Sequence, residues 1–142
     1  MNLSVYEQLE NVSKAKNDKE KLSLLQQYAK ENAFKIVIDL TFNPAWKWLL
    51  PEGNPPYRSS PKEADLQHVL KADARRLQYF VNTPQGNGLK SLRRETMFVE
   101  LLEAVDHNDA KLLLSIKDKK LPFNGITKRL VQQAFPAETK SW

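Results

Sequence analysis

The chain has 142 residues, no cysteine, and 22 Lys and Arg against 17 Asp and Glu, a formal net charge of +5. Such a length suits a single domain, the missing cysteine excludes disulfides and thiolate-bound metal, and the apolar runs are far too short to span a membrane. Met1-Asn2-Leu3-Ser4 carries neither a basic leader nor an apolar stretch, so a soluble protein of a reducing cytoplasm is expected, with no membrane partner.

Ser4 with Glu7 has the spacing of a capping box, and Val5, Leu9 and Val12 share a helical face; a helix over about 4–14 follows. Asn17 with Glu20 repeats the signal for a helix over about 18–30, with Leu22, Leu25 and Ala29 at helical spacing. Asn32 then caps Ala33 to Phe42, a run apolar nearly all round. Periodicity alone does not separate a buried strand from a buried helix there, but no neighbouring run offers a pairing strand, so a helix is predicted. Asn43-Pro44 ends it.

Four of the eight prolines fall between positions 44 and 56, in a connector that also holds Trp46, Trp48 and Tyr57. Large aromatics mostly serve burial, so the two tryptophans are read first as a cover for the core, and second as stacking platforms. Ser60-Pro61-Lys62-Glu63 reads as a helix start, with Leu66, Leu70, Ala74 and Leu77 on the buried face. Residues 82–88 read as a polar loop. A helix from about Leu89 to Val105 places Leu92, Thr96, Val99 and Leu102 at core spacing, with Lys90, Arg93 and Arg94 in its first turns. Cations oppose the macrodipole there, which suggests a task outside the helix. Asp106 to Asp109 is a break and recap before a short, densely apolar helix from Ala110 to about Lys117.

The stretch 117–131 carries the functional expectation. Lys117, Lys119 and Lys120 form a basic helix end stopped by Pro122, Asn124-Gly125 supplies a turn position tolerant of positive φ, and Thr127 caps a last helix bearing Lys128 and Arg129. Solvent-facing amides beside so many cations attract an anion, and phosphate is the commonest large one. A DNA-backbone site is therefore nominated at Lys117, Lys119, Lys120, Asn124, Gly125, Thr127, Lys128 and Arg129, with Arg93 and Arg94 as accessory contacts. The whole reads as an all-α domain of six to eight helices over residues 1–136, with 137–142 as a loose tail.

No catalytic constellation emerges. His68 and His107 are the two histidines; His107 lies in a cap sequence whose neighbours do not converge on one ion, and His68 sits on a polar helix face. Gly86-Asn87-Gly88 lacks the rest of a phosphate-binding fingerprint, and neither a Walker pattern nor a Lys-x-Asp-Gly adenylation motif occurs. A protein without enzymatic activity, cofactor or metal is expected.

The span from about Asn17 to Pro136 resembles a family of small proteins encoded by T-even-like tailed phages. The matching blocks include Phe42-Asn43-Pro44, Leu50-Pro51-Glu52-Gly53-Asn54-Pro55-Pro56-Tyr57, Arg93-Arg94-Glu95, Asp109-Ala110-Lys111-Leu112-Leu113 and Lys117 to Pro122. Gly125-Ile126-Thr127-Lys128 and Ala134-Phe135-Pro136 complete them. That resemblance implies the cytoplasm of an infected bacterial host and no particular activity. The layout is also similar to the N-terminal all-helical DNA-binding domain of phage ATP-dependent DNA ligases. Such domains have an early stretch like Lys19-Glu20-Lys21 through Gln26, a Gly-apolar-Ser/Thr turn and a closing aromatic-Pro pair. This resemblance implies double-stranded DNA as partner, held at its backbone by Lys119, Lys120, Gly125, Thr127 and Lys128. The chain stops where the nucleotidyltransferase domain of a ligase begins, so a stand-alone binding module is implied. The alternative is a protein-interaction module for host RNA polymerase or a phage replication or repair protein, presenting Trp46, Trp48, Tyr57 or Trp142. A cationic surface joining 93–94 to 117–129 favours DNA, and an exposed patch around Trp46 and Trp48 favours a protein.

Overall fold

The first two helices begin where their caps predict. In the computed structural model, which describes residues 3–142, Ser4 Oγ accepts from the Glu7 N–H at 3.1 Å and Glu7 Oε1 accepts from the Ser4 N–H at 3.0 Å. Two otherwise orphaned donors are thereby satisfied at the start of α1 (Val5–Lys14). The reading of Met1 and Asn2 concerns residues outside those described. Asn17 Oδ1 accepts from the Glu20 N–H at 2.9 Å to open α2 (Asp18–Tyr28). The apolar run is helical, as α3 (Asn32–Phe42), and buries Ala33, Phe34, Val37, Ile38 and Leu40. Asn32 is its first residue, not its cap.

The helix expected from Ser60 does not form there. Ser60 Oγ donates to Glu103 O at 3.0 Å, the Arg58 N–H donates to Glu103 Oε2 at 2.8 Å, and Ser59 Oγ shares a 2.6 Å hydrogen bond with His107 Nδ1. These bonds to groups over forty positions away take the hydroxyl that would have capped a helix. Helical structure starts only with α4 (Val69–Asp73) and continues as a 3-10 stretch, Ala74–Phe80. Leu70, Ala74, Leu77 and Phe80 still reach the core. The loop expected over 82–88 contains a short helix, α5 (Pro84–Asn87), with Pro84 in its first turn and Thr83 Oγ1 accepting from the Gly86 N–H at 2.9 Å.

α6 (Ser91–Ala104) forms and buries Leu102 as expected, but its buried face is turned from the predicted stripe. Arg94, Phe98, Leu101 and Leu102 point inward, while Leu92 is 77% exposed. α7 (His107–Ile116) starts at Asp106, whose carboxylate accepts from the Asn108 N–H at 2.9 Å, and α8 (Lys128–Ala134) starts at Thr127. Among the described residues there are eight α-helices and no strand beyond an isolated bridge between Trp48 and Val81. α2 lies along α8, α1 packs on α2 and α7, and α3 is enclosed by α4, the 3-10 stretch, α7 and α8. Residues 137–142, expected as a loose tail, turn back on the body: Thr139 is buried, its Oγ1 donates to Phe135 O at 2.7 Å, and Trp142 packs against the core.

α1 is fastened to α7 by a buried carboxylate. Asp109 Oδ1 accepts from the Tyr6 N–H at 2.9 Å, and Asp109 is fully buried. Its Oδ2, like Oε1 of buried Gln8, has no hydrogen-bond partner among the described residues. Burial pushes the Asp109 carboxyl up to about 7; the Tyr6 N–H opposes the shift, the charges of Asp106 and Glu7 add to it, and Lys71 opposes it.

Candidate nucleic-acid interface

The turn between α7 and α8 is held from several sides. Gly125 has φ +87°, a left-handed conformation that glycine adopts without a Cβ penalty. Ile126 beside it is buried, and Phe123 lies against Tyr6 of α1 with ring centroids 4.8 Å apart. Thr127 Oγ1 accepts from the Leu130 N–H at 3.1 Å. Lys21 of α2 donates from Nζ to Gly125 O at 3.0 Å, and Gln26, also on α2, donates from Nε2 to Ala134 O at 3.1 Å. Two side chains of α2 thus grip both ends of the segment that carries α8.

Asn124, Gly125, Thr127, Lys128 and Arg129 are exposed on this turn, and Lys120 is exposed just before it. Lys21 is half-buried beside Gly125. None of Lys21, Lys120, Lys128 and Arg129 is paired with a carboxylate among the described residues. α8 spans only seven residues and Thr127 already occupies one of its first amides, so side-chain charge, not the helix end, gives this surface its sign.

Three cations nominated from the sequence are committed elsewhere. Lys117 is 5% exposed, and its Nζ donates to Pro51 O at 3.2 Å and to Asp118 Oδ1 at 3.0 Å. Arg94 lies inside because α6 is rotated from the expected face; its guanidinium donates to Gly86 O at 2.7 Å and to Leu89 O at 2.9 Å, with Leu49 O at 3.4 Å. Gly86 is fixed in that nest, since a Cβ there would collide with Val81 O. Arg93 remains exposed on α6.

Lys119 has the most unusual position. It sits at φ +61°, the left-handed residue that ends α7, with its N–H donating to Ile116 O at 2.8 Å and the Lys120 N–H to Ser115 O at 3.2 Å. This is a Schellman ending with lysine where glycine is usual. The side chain explains the choice. Its Nζ donates to Leu40 O at 3.0 Å, Asn43 O at 2.9 Å and Trp46 O at 3.2 Å, closing the exposed C-terminal end of α3. Burial holds the Lys119 ammonium below its ordinary range; Asp39 opposes this, and the nearby Lys128 charge adds to it. Lys119 therefore donates to carbonyls of the protein itself.

The aromatic alternatives are half-buried. Trp46 Nε1 donates to Asp39 Oδ2 at 2.6 Å and Trp48 Nε1 to Leu40 O at 3.2 Å, and Trp46, Trp48, Tyr57 and Trp142 all pack against the core. They cover it, as first expected of the tryptophans. Ser59 and His107 form a hydroxyl–imidazole pair, but His107 Nε2 is buried with no partner among the described residues, so no carboxylate orients the ring for nucleophilic work. Among the described residues no three potential ligands gather to hold a metal ion.

Lys21 was missed from the sequence. It is separated from Gly125 by 104 positions, and the sequence marks it only as part of the Lys19-Glu20-Lys21 stretch similar to ligase domains, not as a contact. No curated protein and no solved structure matches the chain. A match to a family of unknown function, DUF6433, covers residues 8–122, from within α1 to the proline before the Gly125 turn. The chain belongs to that family.

Proposed function

We propose that the protein is a phage-encoded, non-enzymatic module that binds the backbone of double-stranded DNA without reading its sequence, through Lys21, Lys120, Lys128 and Arg129 around the Gly125 turn. The observation that carries this reading is the gathering of cations from α2 and from 120–129 on one braced turn, none with a carboxylate partner. Like charges held together raise the local potential, and a phosphate backbone relieves their repulsion while releasing condensed counterions. The resemblance of the turn and its closing aromatic-Pro pair to ligase DNA-binding domains supports the same partner. Nothing in this cluster reads a base edge, so affinity should be indifferent to sequence.

The test is the salt dependence of binding to a short labelled duplex. Four cations meeting roughly two to four phosphates give a slope of log K against log salt of about −2 to −4, and micromolar or weaker affinity at physiological salt. Replacing Lys120 and Lys128 by Ala should reduce the slope by about two units and leave helical content unchanged. Lys14, exposed on α1, is the control. Equal slopes for the double variant and Lys14→Ala would remove this surface as the DNA site. Incubation with radiolabelled ATP is expected to leave the protein unlabelled.

A further inference from the structure

A second feature lies where α3 and α8 meet the returning C-terminal segment. An open groove of about 400 Å³ runs there. Its walls include Ile36, Ile38, Val131, Phe135 and Trp142, so its floor is apolar, which does not suit a phosphate backbone. Along α3 it extends from Asn32 to Asp39. Seven helical steps cover about 10 Å, the distance from i to i+7 on a helix laid alongside.

The exposed charges around it differ from wall to wall. Lys30 and Lys35 line the α2–α3 edge, both exposed and neither paired with a carboxylate among the described residues. Asp39 also lines the groove, but its charge is set against the Lys119 ammonium and its two oxygens accept from Trp46 Nε1 and Asn43 Nδ2. Glu138 stands on the wall built by the tail. An occupant needs an apolar stripe about two turns long and carboxylates on the flank facing Lys30 and Lys35, with none on the flank facing Glu138.

We infer that this groove is a docking site for an amphipathic helix of a partner protein, apolar at i, i+4 and i+7 and acidic along one flank. The site is independent of the DNA reading, since it uses a different surface and different side chains.

The experiment uses the full chain and a fluorescein-labelled synthetic 14-residue peptide, with Leu at i, i+4 and i+7, Glu on one flank and Ala elsewhere (the length is about four turns). Saturable anisotropy is expected. Lys30→Glu with Lys35→Glu should weaken binding by roughly tenfold or more and admit the same peptide carrying Lys in place of Glu. Ile36 is half-buried in the groove wall, so Ile36→Glu should abolish binding of both peptides, with folding checked by circular dichroism. No saturable binding would overturn the inference, as would binding indifferent to Ile36→Glu or to the charge reversal. Sedimentation showing that a second copy of the chain covers the groove would overturn it too, as would uptake of decanoate where the peptide is refused.

Discussion

Replacing Asp109 by Asn should make the protein more stable at neutral and alkaline pH while changing little in acid. Asp109 is fully buried between α1 and α7, with one oxygen bound to the Tyr6 N–H and the other unpartnered among the described residues. Its carboxyl is pushed up from 3.8 to about 7, chiefly by burial. A raised carboxyl pKa means that the folded state holds the proton more tightly than the unfolded chain. The resulting stabilisation is fully present below the unfolded pKa and is lost as pH rises through the folded one. A shift of about three units corresponds to roughly 4 kcal/mol across the whole range, and about 3 kcal/mol of it falls between pH 4.5 and 8. Asn keeps the acceptor for Tyr6 and does not ionise. Urea denaturation of both proteins across that range, followed by tryptophan fluorescence, gives the difference in stability directly. Groups remote from the site cancel in the subtraction, while Asp106 and Glu7, which repel the Asp109 charge, stay within it. The advantage of Asp109→Asn should grow steadily with pH. A difference that stays flat within about 0.5 kcal/mol would refute the assignment of a protonated carboxyl.

Lys119→Ala should cost about 1–3 kcal/mol by removing the charged donor shared by Leu40 O, Asn43 O and Trp46 O, and Lys119→Gly should recover about 1 kcal/mol of that by relieving the φ of +61°. If the two variants unfold at the same urea concentration, the strain argument fails. Gly125→Ala should destabilise by about 1–2 kcal/mol, because the left-handed backbone is strained and the new Cβ stands 2.7 Å from Lys21 Nζ. A melting temperature unchanged from the parent would contradict this. Arg94→Met should cost about 2 kcal/mol by removing the charged donor to Gly86 O and Leu89 O, yet preserve the salt slope of duplex binding. A lowered slope in that variant would return Arg94 to the DNA surface.

What the sequence disclosed was what is settled within a few residues. The Ser4–Glu7 box, the Asn17 and Thr127 caps and the left-handed Gly125 all depend on near neighbours, and each stands where local chemistry puts it. The errors share a cause. Ser60-Pro61 has every local mark of a helix start, but Glu103 and His107, over forty positions on, bind the segment first. On α6 the expected stripe through Leu92 competed with one through Phe98 and Leu101; the second buries those larger side chains together with Leu102, and it carries Arg94 inward to Gly86 O and Leu89 O. Lys119 looked like part of a basic surface because its acceptors lie 73 to 79 positions away. A lysine's charge is visible in a sequence, but the group that spends it is not.

The fastening of α1 and α2 sets an order on synthesis. Tyr6 meets Asp109, Lys21 meets Gly125 and Gln26 meets Ala134, separations of 103, 104 and 108 positions. A ribosome adding roughly 5–20 residues per second needs on the order of 5–20 s to supply each partner. Through that interval residues 5–28 lack the surfaces that α1 and α2 cover in the fold, and helices of ten and eleven residues are marginal alone. The nascent chain thus carries its own apolar faces open until its last quarter emerges, and a break anywhere before α8 leaves α2 with an uncovered side that quality-control proteases or chaperones can grasp.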